Sequence, residues 1–175
     1  MNLTMAELLN YTDEERAKWQ AWFSAQGNDP LKITFGNETL SNIGVLILHI
    51  FWAELWYAYW MHGEPFTLES EIVKQNKDIP NDQVEAIFRF GRLAREKMRS
   101  FTDSAQPEDW ERSHEVELMG LHLQGSARKL VAHILIHEIR HWAQVALAVR
   151  QHGLAPPGDH DLLFSKSFGL LASKV

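Results

Sequence analysis

The chain has no cysteine among its 175 residues. That excludes a disulfide framework, a catalytic thiol and a sulfur-ligated metal site, so any thiol in its chemistry has to arrive with a substrate or cofactor. An excess of positive charge is also lacking: 17 lysines and arginines stand against 23 aspartates and glutamates, a formal net charge of −6. Nonspecific duplex binding needs a basic stripe to meet the phosphates, so nucleic acid is not an expected partner. The opening stretch, MNLTMAELLNYTDEERAKW, has neither a basic leader nor a long apolar core, which predicts no signal peptide. No internal repeat or low-complexity tract breaks the chain, and no buried strand runs into a glycine-rich turn. A Rossmann or P-loop fold therefore has no support.

The one long apolar run, Ile43 to Met61, has the length of a membrane span. His49 and Glu54 interrupt it and no positive flank anchors it, so it reads as a core helix of a cytoplasmic protein rather than a membrane segment. Its aromatic, apolar character also makes it a candidate surface for a homodimer.

What is present is helical periodicity. A first helix is expected from Thr4 to Ala25, ended by Gly27 and Pro30, with Thr12 and Glu15 spelling a capping box that allows a restart near Tyr11. LKITFG follows as an extended piece. A second helix is expected from Thr39 to His62, stopped by Gly63, and a third from Asn81 to Ser100 with Asn81 or Asp82 as cap. Asp103 to Pro107 reads as loop, and His114 to Gln124 as either a short helix or a strand-like excursion. The last helix is expected from Ser126 to His152, where Gly153, Pro156 and Pro157 stop it, with the tail from Asp161 packing back. Four long periodic segments joined by modest loops predict an all-α four-helix bundle with short additional helical or extended segments, in a single domain over 1–175.

The last helix carries the chemistry. His133, His137 and His141 recur every four residues, a slowly rotating stripe on one face, and His137 and His141 are close enough to share an ion. Imidazole suits zinc, nickel, iron or copper. All three on one straight helix are too spread out to meet one ion, so a further ligand must come from elsewhere. His49, among Leu46, Ile50, Trp52 and Trp56, is the natural supplier; the plain alternative is a core histidine bonded to a tyrosine or carbonyl. His133 is expected to support the ligands or line a pocket. His62, His114, His122, His152 and His160 read as solvated or locally bonded. Three histidine ligands leave a position open for water or substrate. Gln144, seven residues after His137, shares its face and can bond a water or substrate there, or serve as a structural amide.

Residues 137–141 also spell H-E-x-x-H, a metalloprotease signature. The extended form needs glycine and histidine where this chain has Gln144 and Leu147, and no later carboxylate is placed as a third ligand. Glu138 is instead expected to support the helix or an imidazole. Glu54 lies about 140° around the helix from His49, off the ligand face, and is expected to pair with a basic side chain. Among seven tryptophans, most are expected in the core, while Trp52 and Trp56 share the His49 side and can wall an apolar pocket.

The segments TDEERAKWQAWF, TLSNIGVLILHIFWAEL and HILIHEIRHWAQVALAVRQHG together resemble the DinB-like, damage-inducible superfamily of metal-binding four-helix proteins. The resemblance implies that His49, His137 and His141 bind a divalent ion, nickel or zinc, with His133 matching a recurrent histidine before the pair. One departure is that Trp142 and Ala143 stand where the family often has arginine and glycine. The resemblance also implies a homodimer and a thiol-dependent transferase that joins a low-molecular-weight thiol, activated on the metal, to a small electrophile. Two alternatives stand beside it: a non-catalytic metal-binding stress protein and a metal-dependent hydrolase of a small molecule.

Overall fold

The first helix, α1 (Met5–Gln26), begins where Thr4 turns extended and its hydroxyl accepts from the Glu7 amide while the Glu7 carboxylate returns to Thr4. The computed structural model describes residues 4–35, 39–118, 120–158, 162 and 165–167. The restart near Tyr11 that a Thr12–Glu15 capping box would allow does not occur. Thr12 is buried and its hydroxyl donates to the Leu9 carbonyl at 2.9 Å, while Glu15 is buried beside Lys18, so neither side chain is free to cap. After a 3-10 turn at Asp29–Lys32, the extended piece pairs back on itself: Thr34 bridges Asn42, and the Ile43 amide donates to the Ile33 carbonyl.

That pairing delays the second helix, α2 (Ile43–Met61), which starts four residues later than expected because Asn42 rather than Thr39 caps it, accepting from the Val45 amide at 2.9 Å. A short α3 (Glu71–Asn76) leads to α4 (Val84–Thr102). Neither Asn81 nor Asp82 caps α4; the Val84 amide is satisfied by Asn28 Oδ1 at 3.1 Å, from the far end of α1. Another short helix, α5 (Pro107–Glu111), begins on its proline at the end of the stretch read as loop. The ambiguous segment is an antiparallel hairpin, β1 (Ser113–Leu118) with β2 (Leu121–Ser126), turning at Gly120 with φ +76° and tied to α2 by the Trp60 indole on the Glu115 carbonyl. The last helix is α6 (Ala127–Gln151), capped by Ser126.

The bundle is mostly helical. α2 packs against α4 and α6, and α1 against the same two, so α1 and α2 sit on opposite corners. Gly91 of α4 lets the two axes approach, since a Cβ there would fall 2.6 Å from the Phe51 ring. Two apolar clusters fill the interior. One gathers Trp19, Phe23, Phe51, Phe88 and Trp142; the other Leu9, Met98, Leu130 and Leu135. Of the expected tail packing, Lys166 and Ser167 donate to the Glu14 carboxylate and Ser165 is buried; most of that segment lies outside the described residues. α2 is long and apolar enough to cross a membrane by length and composition, and half of that stretch is buried among the other helices.

Candidate metal centre

His49 projects from the second turn of α2, and His137 and His141 from successive turns of α6, the helix against which α2 packs. His137 Nε2 lies 3.1 Å from His49 Nε2 and 3.0 Å from His141 Nε2. One ligand atom from each falls within 4.8 Å of the others, and all three rings are half-buried. Nitrogens bound at about 2.0–2.1 Å to one ion stand roughly 3 Å apart when their bonds meet near a right angle.

The rings do not satisfy one another. His141 Nδ1 is 2.6 Å from Gln144 Oε1, an atom that only accepts, so Nδ1 carries the proton and Nε2 presents a lone pair to the cluster. His137 Nε2 faces two nitrogens and can donate to one at most, while its Nδ1 is buried without a partner. A cation at the common focus takes all three lone pairs, so the donor set fits a divalent ion. Burial, with the neighbouring imidazoles behind it, pushes the His137 pKa down to about 4. Burial also lowers His49, helped by His141, and lowers His141 against the opposing effect of Gln144. The depressed values favour the neutral rings that metal binding needs.

The remaining candidates fall around this centre. His133 is exposed, its ring centroid 6.0 Å from His137 and 5.4 Å from Tyr57, outside the converging set. Trp52 and His49 line a cleft of about 660 Å³ between α2 and the chain leading into α4. Trp56 meets Tyr57 edge-on and Trp60 at a tilt further along α2 and is not on that wall. The Gln144 carbonyl is engaged by His141 rather than left for a substrate. His62 meets Ser100 of α4 at 3.0 Å, a tertiary contact rather than a local one, and His152 meets the Ala148 carbonyl one turn back; His160 lies outside the described residues.

Glu138 turns away from the histidines. It is 1% exposed, accepts from Arg16 Nε at 2.5 Å, Arg95 Nη2 at 2.7 Å and the Trp142 indole at 3.1 Å, and so cannot act as the water-activating glutamate of a protease. Glu54 joins the same network through Arg16 Nη2 at 2.5 Å and a close, non-linear ionic contact with Arg95 Nε at 2.7 Å. Burial alone would raise the Glu138 carboxyl; the two guanidiniums outweigh it and hold the pKa below its ordinary value. Opposing carboxylates raise Arg16 in turn, against its burial. Trp142, at the place where the resemblance implied arginine, is buried and stacks on Trp19 at 5.4 Å.

Sequence reasoning missed Arg16 and Arg95, which link α1 and α4 to the helices bearing the ligands. Arg95 had a signal: it occupies the apolar register of α4 set by Ile87, Gly91, Ala94 and Met98.

Fold and site together define a helical-bundle protein with a histidine cluster able to hold one divalent ion. The family model described as the DinB family matches residues 1–168, and the chain belongs to that family. No curated protein matches it.

Proposed function

We propose that the protein is a cytoplasmic metal-dependent transferase that holds one nickel or zinc ion on His49, His137 and His141 and joins a low-molecular-weight thiol to a small electrophile. The observation that carries this reading is the convergence of three imidazole nitrogens beside an apolar cleft, in a chain with no cysteine. A bound divalent ion would supply Lewis acidity, lowering the pKa of a thiol or water. Around it the chain's own residues orient and protect. Gln144 holds His141 in the tautomer whose Nε2 faces inward. Burial resists protonation of the ligand rings. Glu138 is committed to arginines, and His133, one turn before His137 with its ring centroid 6.0 Å away, stands beside the cluster rather than in it. The half-buried stripe of Trp56, Tyr57 and Trp60 on α2 supports a homodimer in the same reading.

The test is elemental analysis of untagged protein beside a His137→Ala, His141→Ala variant, followed by assays of thiol transfer. About one ion per chain, lost in the variant, with thiol-dependent consumption of an electrophile, is the expected result. No metal after reconstitution removes the proposal. Metal without turnover favours a non-catalytic binder, and turnover without thiol favours a hydrolase.

A further inference from the structure

The cleft beside His49 has a rigid, lopsided wall. Trp52, Ile79 and Pro80 supply apolar surface. Trp52 cannot swing freely: its ring is braced by Phe90 at 4.5 Å and Phe66 at 6.1 Å between centroids. The opposite wall, residues 78–81, is seated directly on the backbone of α2. A Cβ added at Gly44 would fall 1.7 Å from the Asn81 carbonyl oxygen, so that wall stands at a fixed distance from the helix carrying His49. Among the described residues of the cleft, Asp78 is the one carboxylate, and none is a lysine or arginine. A second cavity, on the Gln144 side of Leu40, is about 200 Å³ and lined by apolar residues and two amides. Ligand sites commonly run from about 300 to 1,000 Å³, which favours the larger cleft.

We propose that this cleft binds the body of the substrate and selects a flat apolar ligand with a cationic end, the apolar part lying against Trp52 and the cation meeting Asp78, with the reacting group at His49. Trp52 presents a quadrupolar face and edge suited to an aromatic ring. Asp78 favours positive charge and penalises a carboxylate at the same place, which makes the selection one of charge as well as shape. The inference rests on the metal-thiolate reading above and adds a substrate class to it.

The experiment uses nickel-loaded full-length protein titrated with three rigid thiols: thiophenol carrying a para trimethylammonio group, thiophenol itself, and para-mercaptobenzoate. A para substituent cannot reach the same ion as the sulfur, so direct chelation does not confuse the comparison. Binding is read from the sulfur-to-nickel charge-transfer absorption and from tryptophan fluorescence. Because the substituents also change thiol acidity, each ligand is compared between wild type and Asp78→Asn, a change at an exposed side chain. Asp78→Asn is expected to weaken the cationic thiol about two- to fivefold, leave thiophenol unchanged and strengthen the carboxylate by a similar factor. Trp52→Ala is expected to weaken all three. Charge-transfer bands whose affinities respond equally to Asp78→Asn overturn the inference and leave the metal-thiolate reading standing. Metal-loaded protein that gives no band with any thiol overturns both.

Discussion

Replacing Glu138 separates two roles for the residue between the paired histidines. The carboxylate is 1% exposed and accepts from Arg16, Arg95 and the Trp142 indole. Glu138→Ala leaves two buried guanidiniums with Glu54, and Asp13, 3.0 Å from Arg95, is the other carboxylate paired with them among the described residues. Removing one partner from such a network costs about 3–5 kcal/mol, because the remaining charges stay buried without their counter-ion. Against a typical total stability of about 5–15 kcal/mol, that is a large fraction. For a chain of this length it corresponds to a fall in Tm of roughly 6–20 °C. Glu138→Gln keeps the shape and one acceptor and is expected to fall between the alanine variant and wild type. The assay is urea denaturation with metal content measured on the folded fraction. The midpoint is expected to drop at unchanged m-value, with metal still bound near one per folded chain. A Glu138→Gln protein as stable as wild type but without turnover would refute the structural assignment and restore a general base.

Three further outcomes follow from the same geometry. Gln144→Leu removes the acceptor that fixes the His141 tautomer, and metal affinity is expected to fall about 10- to 100-fold in a competition titration while metal-free stability stays within about 0.5 kcal/mol. Gly91→Ala places a Cβ 2.6 Å from the Phe51 ring, and thermal denaturation is expected to show a loss of about 1–3 kcal/mol. In the metal-free protein, the His137 pKa is lowered from 6.5 to about 4. The unfolded chain then binds that proton more tightly, so its contribution is present above about pH 6.5 and lost as pH falls towards 4. Discounted for partial exposure, the effect is on the order of 1–2 kcal/mol, measured as the part of the acid-induced loss that disappears in His137→Ala. An unchanged acid response in that variant would contradict the assignment.

The bundle was legible because α4 and α6 repeat their apolar positions at the helical period and α2 is a long apolar run, and α6 began and ended close to the residues its punctuation marked, Ser126 and Gly153. The histidine pair was legible for the same reason, since spacing within one helix fixes what shares a face. Glu54 was read as off that face, and it is bound to Arg16. The hairpin was not resolved from helix, because its short exposed segment lacks a buried alternating face. α3 and α5 are too short to carry a period.

Sequence alone thus determined which four segments become the long helices, that two histidines on the last of them stand one turn apart, and that any thiol must come from outside. Tertiary packing decided the rest. It brought His49 to within 3.1 Å of His137 across 88 residues of chain and supplied the cap of α4 from Asn28. It also turned Glu138 of a protease-like motif inward onto two arginines from other helices. The physical reason is that a helix's own period sets the angles between its side chains, whereas its rotation and neighbours are set by burying apolar faces and pairing interior charges with groups distant in sequence.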